Sequence, residues 1–184
     1  MYLLALLLPE VLRAAVWELK QEIHRRTGSR NAVRLPPHIT LVPPLHQPAS
    51  FAADIVPVLA RFAAHQTASP VQLDGFSWFQ DRTLYVRVTQ DASLQQQHAA
   101  LYAEFRRHLP TVPQPARPFV PHVTLATRDL PPNLVPELRQ EFAHRSYHAT
   151  GWLQQLVLFQ HDGKQWQEIE RFALPLPPNA QNPG

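Results

Sequence analysis

Apolar residues follow two rhythms along this chain. Residues 2–8 form an unbroken apolar run ended by Pro9, which predicts a buried first strand. From 9 to 28 the rhythm changes: Leu12, Ala15, Val16, Leu19 and Ile23 recur at helical spacing, Pro9 suits a first turn, and Gly28 suits a stop. His38 to Val42 reads as a second strand. Asp54 is placed to cap a second helix, with Pro57 in its first turn and Ile55, Leu59 and Phe62 facing inward. The runs 71–79 and 84–89 then predict a hairpin turning around Gln80 to Thr83.

The order recurs in the second half. Asp91 can cap a helix whose Leu94, Leu101, Phe105 and Leu109 face a core, and a proline-rich loop leads into a strand at 122–127. Asn133 can cap the next helix with Pro136 in its first turn, and two last strands, near 146–160 and 164–174, flank a turn at Asp162-Gly163. Strand, helix, strand, helix, strand therefore occurs twice. This predicts an α+β protein of two duplicated α/β lobes forming one bilobal domain over 1–175, with a loose proline-rich tail at 176–184.

Composition narrows the function. The 184 residues, 45% of them hydrophobic, suffice for a substantial core. Seventeen basic against fourteen acidic side chains leave a formal charge of +3, which suits an anionic small substrate better than the wrapping of duplex nucleic acid. The absence of cysteine excludes disulfides, thiol nucleophiles and thiolate metal sites. The opening run lacks a basic start and is too short for a signal core or a membrane span, so a cytoplasmic protein with no membrane association is expected.

The chemistry is carried by two segments, His38-Ile39-Thr40-Leu41 and His122-Val123-Thr124-Leu125, each preceded by a proline. Side chains alternate along a strand, so His38 and Thr40 share one face while Ile39 and Leu41 take the other, and likewise for His122 and Thr124 against Val123 and Leu125. Two such strands facing a common cleft would bring together two imidazoles and two hydroxyls. One imidazole can take a proton from water while the other gives one to a leaving oxygen, and each hydroxyl can donate to an anion without adding charge. The other eight histidines read as surface or packing residues. His144 and His148 have the spacing of a helical metal pair but lack the rest of such a motif. No metal or other cofactor is expected, and no ATP-binding loop is present.

The doublet, 84 residues apart (122 − 38), resembles that of the 2H phosphoesterase superfamily, which includes the RNA 2′,3′-cyclic phosphodiesterases long labelled 2′-5′ RNA ligases. The resemblance implies antiparallel-rich sheets about a central cleft with an approximate two-fold axis, and metal-independent opening of a 2′,3′-cyclic phosphate to a 2′-phosphomonoester. By that likeness His38 would protonate the departing 3′ oxygen, His122 would activate water, and Thr40 and Thr124 would hold the phosphate. The substrate would be an RNA end or a small cyclic nucleotide, acted on by a monomer. Two departures bear on substrate. RNA-acting members often continue the first motif with Phe-Leu-Gly where this chain has Val42-Pro43-Pro44, and their arginine five residues after the second histidine falls here on Thr127, with Arg128 one place later. Arg128 reaches a phosphate only if the strand has ended or bulged by then. Phe79, Tyr85 and Phe119 are candidates to stack on a base, Trp78, Trp152 and Phe159 to pack the core, and Arg25, Arg26, Arg30 and Arg34 to form a solvated helix end and loop. Two alternatives stay open: the same chemistry on 2′-5′ linked oligonucleotides or another cyclic phosphate, including reversible ligation, and a nucleotide-binding module without turnover.

Overall fold

The computed structural model describes residues 1–178 and 180; the predicted tail at 176–184 therefore falls mostly outside the described residues. The chain runs β1 (Tyr2–Leu7), α1 (Glu10–Thr27), β2 (His38–Leu45), α2 (Phe51–Ala64), β3 (Ser69–Phe79), β4 (Thr83–Val88), α3 (Ala92–His108), β5 (His122–Thr127), α4 (Val135–His144), β6 (His148–Leu153), β7 (Gln155–His161) and β8 (Trp166–Ala173). The strands form one antiparallel sheet in the order β6-β3-β4-β5-β2-β1-β7-β8. Most ladders are long, such as Ser69 to Asp74 against Leu153 to His148. At the centre, β2 meets β5 through a single registered pair, Ile39 and Val123. Two four-stranded halves, β6-β3-β4-β5 and β2-β1-β7-β8, thus join along a seam one pair long; unlike the expected lobes, they are not successive stretches of the chain, because β3 and β4 join β5 and β6 while β7 and β8 return to β1 and β2.

The unbroken apolar run of β1 has a two-sided cause. Tyr2, Leu4 and Leu6 enter the main core beneath the helices, while Leu3, Ala5 and Leu7 form a second, smaller cluster with Val157 and Phe159 on the opposite face. A strand covered on both faces carries no polar alternation. α1 begins after Pro9 and ends at Gly28, whose left-handed φ of 72° lets its N–H reach the His24 carbonyl at 2.8 Å. It is tied to α4 by Arg26 to Glu141 at 2.7 Å and Arg145 to Glu22 at 2.8 Å. Among the described residues no helix is long and apolar enough to cross a membrane.

Several boundaries differ from expectation. α2 starts at Phe51, three residues before Asp54, because Phe51 is buried against the Tyr2 ring at 5.3 Å and turn bonds from Phe51 and Ala53 to Pro48 and Ser50 open the helix early. Pro57 therefore lies inside the helix. Asn133 belongs to a 3₁₀ turn, Pro132–Leu134, rather than capping α4, although Pro136 does sit in the first turn. The segment 146–160 is two strands, broken at exposed Gln154 as the chain passes from the edge of one half to the other. Buried Leu153 and Leu156 on either side of that break anchor it.

Candidate active site

The seam pair sets the geometry of the two motifs. Ile39, Leu41, Val123 and Leu125 are all essentially fully buried in the main core, as the alternation predicts. His38, Thr40, His122 and Thr124 therefore occupy the opposite face of adjacent strands. With the strands antiparallel, one step either way from Ile39 and Val123 sets His38 beside Thr124 and Thr40 beside His122. The four side chains are thus arranged diagonally about the seam, one His-Thr pair from each half.

Both imidazoles are held in the same way. Nδ1 of His38 lies 2.6 Å from the Pro36 carbonyl, and Nδ1 of His122 lies 2.7 Å from the Val120 carbonyl. A carbonyl only accepts, so in each neutral ring Nδ1 carries the proton and donates it, leaving the Nε2 lone pair for a reactant. Pro37 and Pro121 explain the repeated proline. Each follows the residue whose carbonyl is used, and a proline confines the residue before it to extended backbone, directing that carbonyl back at the ring.

The surroundings of the two rings are unequal. His38 lies 6.4 Å from the Phe159 ring and near the charge of Lys20, a lysine that is only 3% exposed and donates to the Leu35 carbonyl at 2.9 Å. Burial, then the Lys20 charge, hold His38 down to about 4, against the pull of the Pro36 carbonyl; the charge of His122 lowers it further. Burial lowers His122 as well, opposed by the Val120 carbonyl, and lowers Lys20 to about 7. Lys20 escaped the sequence reading, although a lysine within the apolar stripe of Leu12, Val16 and Ile23 was a signal of it.

Phe79 and Tyr85 stack on each other at 4.3 Å, and both meet the His122 ring edge-on, at 4.8 and 5.2 Å. They wall the second motif. Phe119 is elsewhere, stacked on His98 of α3 at 4.1 Å and packed against the main core. Arg128 follows the last residue of β5 and has φ of 61°, so the strand has ended before it, and it lines a pocket with Phe79 and Thr127. Phe159 packs in the smaller cluster, and Trp78 and Trp152 pack against the main one. Of the arginines before the first motif, Arg26 joins the α1–α4 ion pairs and Arg34 bonds His161 at 2.8 Å. Among the described residues no three metal-donating side chains converge, and His148 instead approaches Asp74.

A model of the 2′-5′ RNA ligase superfamily matches residues 9–165. Among solved structures, TT0787 of Thermus thermophilus aligns with a TM-score of 0.70 at 22% identity, covering 95% of this chain and 98% of that one. E. coli LigT complexed with 3′-AMP aligns with a TM-score of 0.62 at 19% identity, covering 94% and 97%. A provisional phosphoesterase of Bacillus pumilus (strain SAFR-032) is 28% identical over 107 residues, 57% of this chain; the match spans 60% of that relative's length.

Proposed function

The chain belongs to the 2′-5′ RNA ligase superfamily, and from that premise we propose that it is a phosphodiesterase that hydrolyses 2′,3′-cyclic phosphates at RNA ends or in small nucleotides. The observation that carries the reading is the pair of identically held imidazoles on one diagonal across the seam, with the two threonines on the other. E. coli LigT, which shares the fold, has been solved with 3′-AMP, with ATP, with NADP+ and with phosphate, and a nucleotide or phosphate ligand is carried over to this chain as part of the proposal.

In the proposed reaction the cyclic phosphate lies between the two Nε2 atoms, with the Thr40 and Thr124 hydroxyls donating to its non-bridging oxygens. His122 takes a proton from water as the water oxygen bonds to phosphorus. The bond from phosphorus to the 3′ oxygen breaks, and His38 gives that oxygen a proton, leaving a 2′-phosphomonoester. Free His38 resists protonation. The phosphate anion supplies the opposite charge that raises its proton affinity, so the acid is loaded as substrate binds. Phe79 and Tyr85 keep water from the flank of His122, and Phe79, partly open to solvent, offers a face to a base.

The test is a panel of 2′,3′-cyclic nucleotides, oligonucleotides ending in a cyclic phosphate and 2′-5′ linked dinucleotides, with the products identified. Formation of 2′-phosphomonoesters that is lost in His38→Ala and His122→Ala supports the reading. Turnover confined to 2′-5′ linkages, or binding without turnover, would replace it.

A further inference from the structure

We propose that the pocket beside His122 is a subsite for a second phosphate, carried on the 5′ side of the ribose whose cyclic phosphate lies between the histidines; the inference rests on the site reading above. The pocket has a volume of about 540 Å³ and includes Phe79, Arg82, Thr83, Arg117, Thr127 and Arg128 in its lining. It begins where the catalytic space ends, because Phe79 both lines it and packs on the His122 ring.

Three separate connections each place one arginine in its lining: the β3–β4 turn gives Arg82, the proline-rich loop before β5 gives Arg117, and the residue after β5 is Arg128. Among the described residues none of these three groups has a hydrogen-bond or ion-pair partner. The sequence offers each of two arginines an acidic neighbour, and the fold takes both acids away. Asp81 pairs with Arg139 at 2.6 Å, and Asp129 accepts from the Ser29 hydroxyl and, at 3.0 Å, from the Asn31 N–H. Three like charges are left around one concavity, an arrangement that an anion offsets.

The backbone points to the same place. Gln80 and Arg128 are the two non-glycine residues with positive φ among the described residues, at 52° and 61°, and both line this pocket. Left-handed backbone at residues other than glycine is costly and persists where the surroundings impose it, which is a mark of binding sites. Here Arg139 imposes it on the turn, donating to the Gln80 carbonyl at 2.6 Å while resting over the Trp78 ring. The Thr83 and Thr127 hydroxyls lie 2.7 Å apart. One proton is spent between them and the other O–H remains for a ligand. Forked guanidinium donors together with a hydroxyl suit phosphate oxygens rather than a neutral base.

The experiment compares equilibrium binding of adenosine 2′-phosphate and adenosine 2′,5′-bisphosphate to the full chain, with ApA ending in a 2′-phosphate as a third ligand. The expected result is an advantage of about tenfold or more for the bisphosphate, eroded by salt and collapsing toward one in the Arg82→Ala, Arg117→Ala double variant. A gain for ApA as well as for the bisphosphate assigns the subsite to RNA ends; a gain for the bisphosphate alone assigns it to free nucleotides. Equal affinity for all three ligands, or an advantage that survives the double substitution, overturns the subsite. Failure of the protein to hydrolyse any cyclic phosphate, with the binding advantage intact, would overturn the proposed reaction and leave the subsite standing.

Discussion

Replacing His38 by glutamine is expected to flatten the acid arm of the protein's stability curve. Folded His38 refuses a proton until about pH 4, chiefly because burial and then the Lys20 charge disfavour its charged form. In the unfolded chain the same ring is protonated near pH 6.5. Between those values the unfolded state binds more protons than the folded one, so the contribution of His38 is complete above about pH 6.5, shrinks as pH falls, and is gone below about 4. The gap between 6.5 and about 4, at about 1.4 kcal/mol per unit, sets a ceiling of about 3 kcal/mol. Because the ring is partly open to the cleft, about 2 kcal/mol is expected. Urea denaturation in steps across this window, on wild type and His38→Gln, reads the difference directly, since glutamine does not titrate. His98 and His122 are also lowered by burial, so the variant keeps part of the slope. Parallel acid arms for the two proteins, or a His38 ring resonance titrating near 6.5, would refute the reasoning.

Further outcomes follow from the same geometry. His38→Ala and His122→Ala should each lower kcat/KM on a 2′,3′-cyclic nucleotide by about 10²- to 10⁴-fold, with the double variant little worse than the weaker single one, because in the proposed reaction the two rings act on one phosphorus. Phosphate binding at about pH 6 should take up protons, since the bound anion raises imidazoles that burial holds low; calorimetry in buffers of different ionisation enthalpy measures the number, and zero uptake would contradict the loading of the acid by substrate. Thr124→Val should raise KM for the cyclic phosphate about tenfold or more by removing a donor to a charged oxygen, as measured by steady-state kinetics. Ile39→Ala, at a fully buried seam position, should cost about 2–5 kcal/mol in denaturant unfolding.

The parts of the fold visible in the sequence were those dictated by local rhythm. The alternation around His38 and His122 fixed which side chains share a face, and β1 announced itself by a run too apolar for a one-sided strand. What stayed hidden depended on distant partners. The early start of α2 rests on Phe51 meeting Tyr2, and the break at Gln154 exists because β6 pairs with β3 while β7 pairs with β1. The site divided along the same line. In the candidate site, the shared face of His38, Thr40, His122 and Thr124 was legible, whereas the influence of Lys20 on His38 arises from α1 packing beneath the segment that leads into β2. Arg128 could not be placed from strand spacing alone, since its direction depends on a left-handed residue just past the strand end.

The two halves of the sheet are not successive in the chain. One, β3 to β6, is a continuous stretch; the other is assembled from β1 and β2 at one end and β7 and β8 at the other. During synthesis, β1 leaves the ribosome with its β7-facing edge unpaired and both its faces apolar, and that edge stays open until the whole intervening half has been made. A nascent chain stopped after β6 therefore carries both histidine motifs while the strand behind the first, with Phe159 beside His38, is still missing. The proposed chemistry at the seam is in this sense a property of a chain that includes β7 and β8, and a product truncated after β6 would be a candidate for edge-to-edge association rather than a slow enzyme.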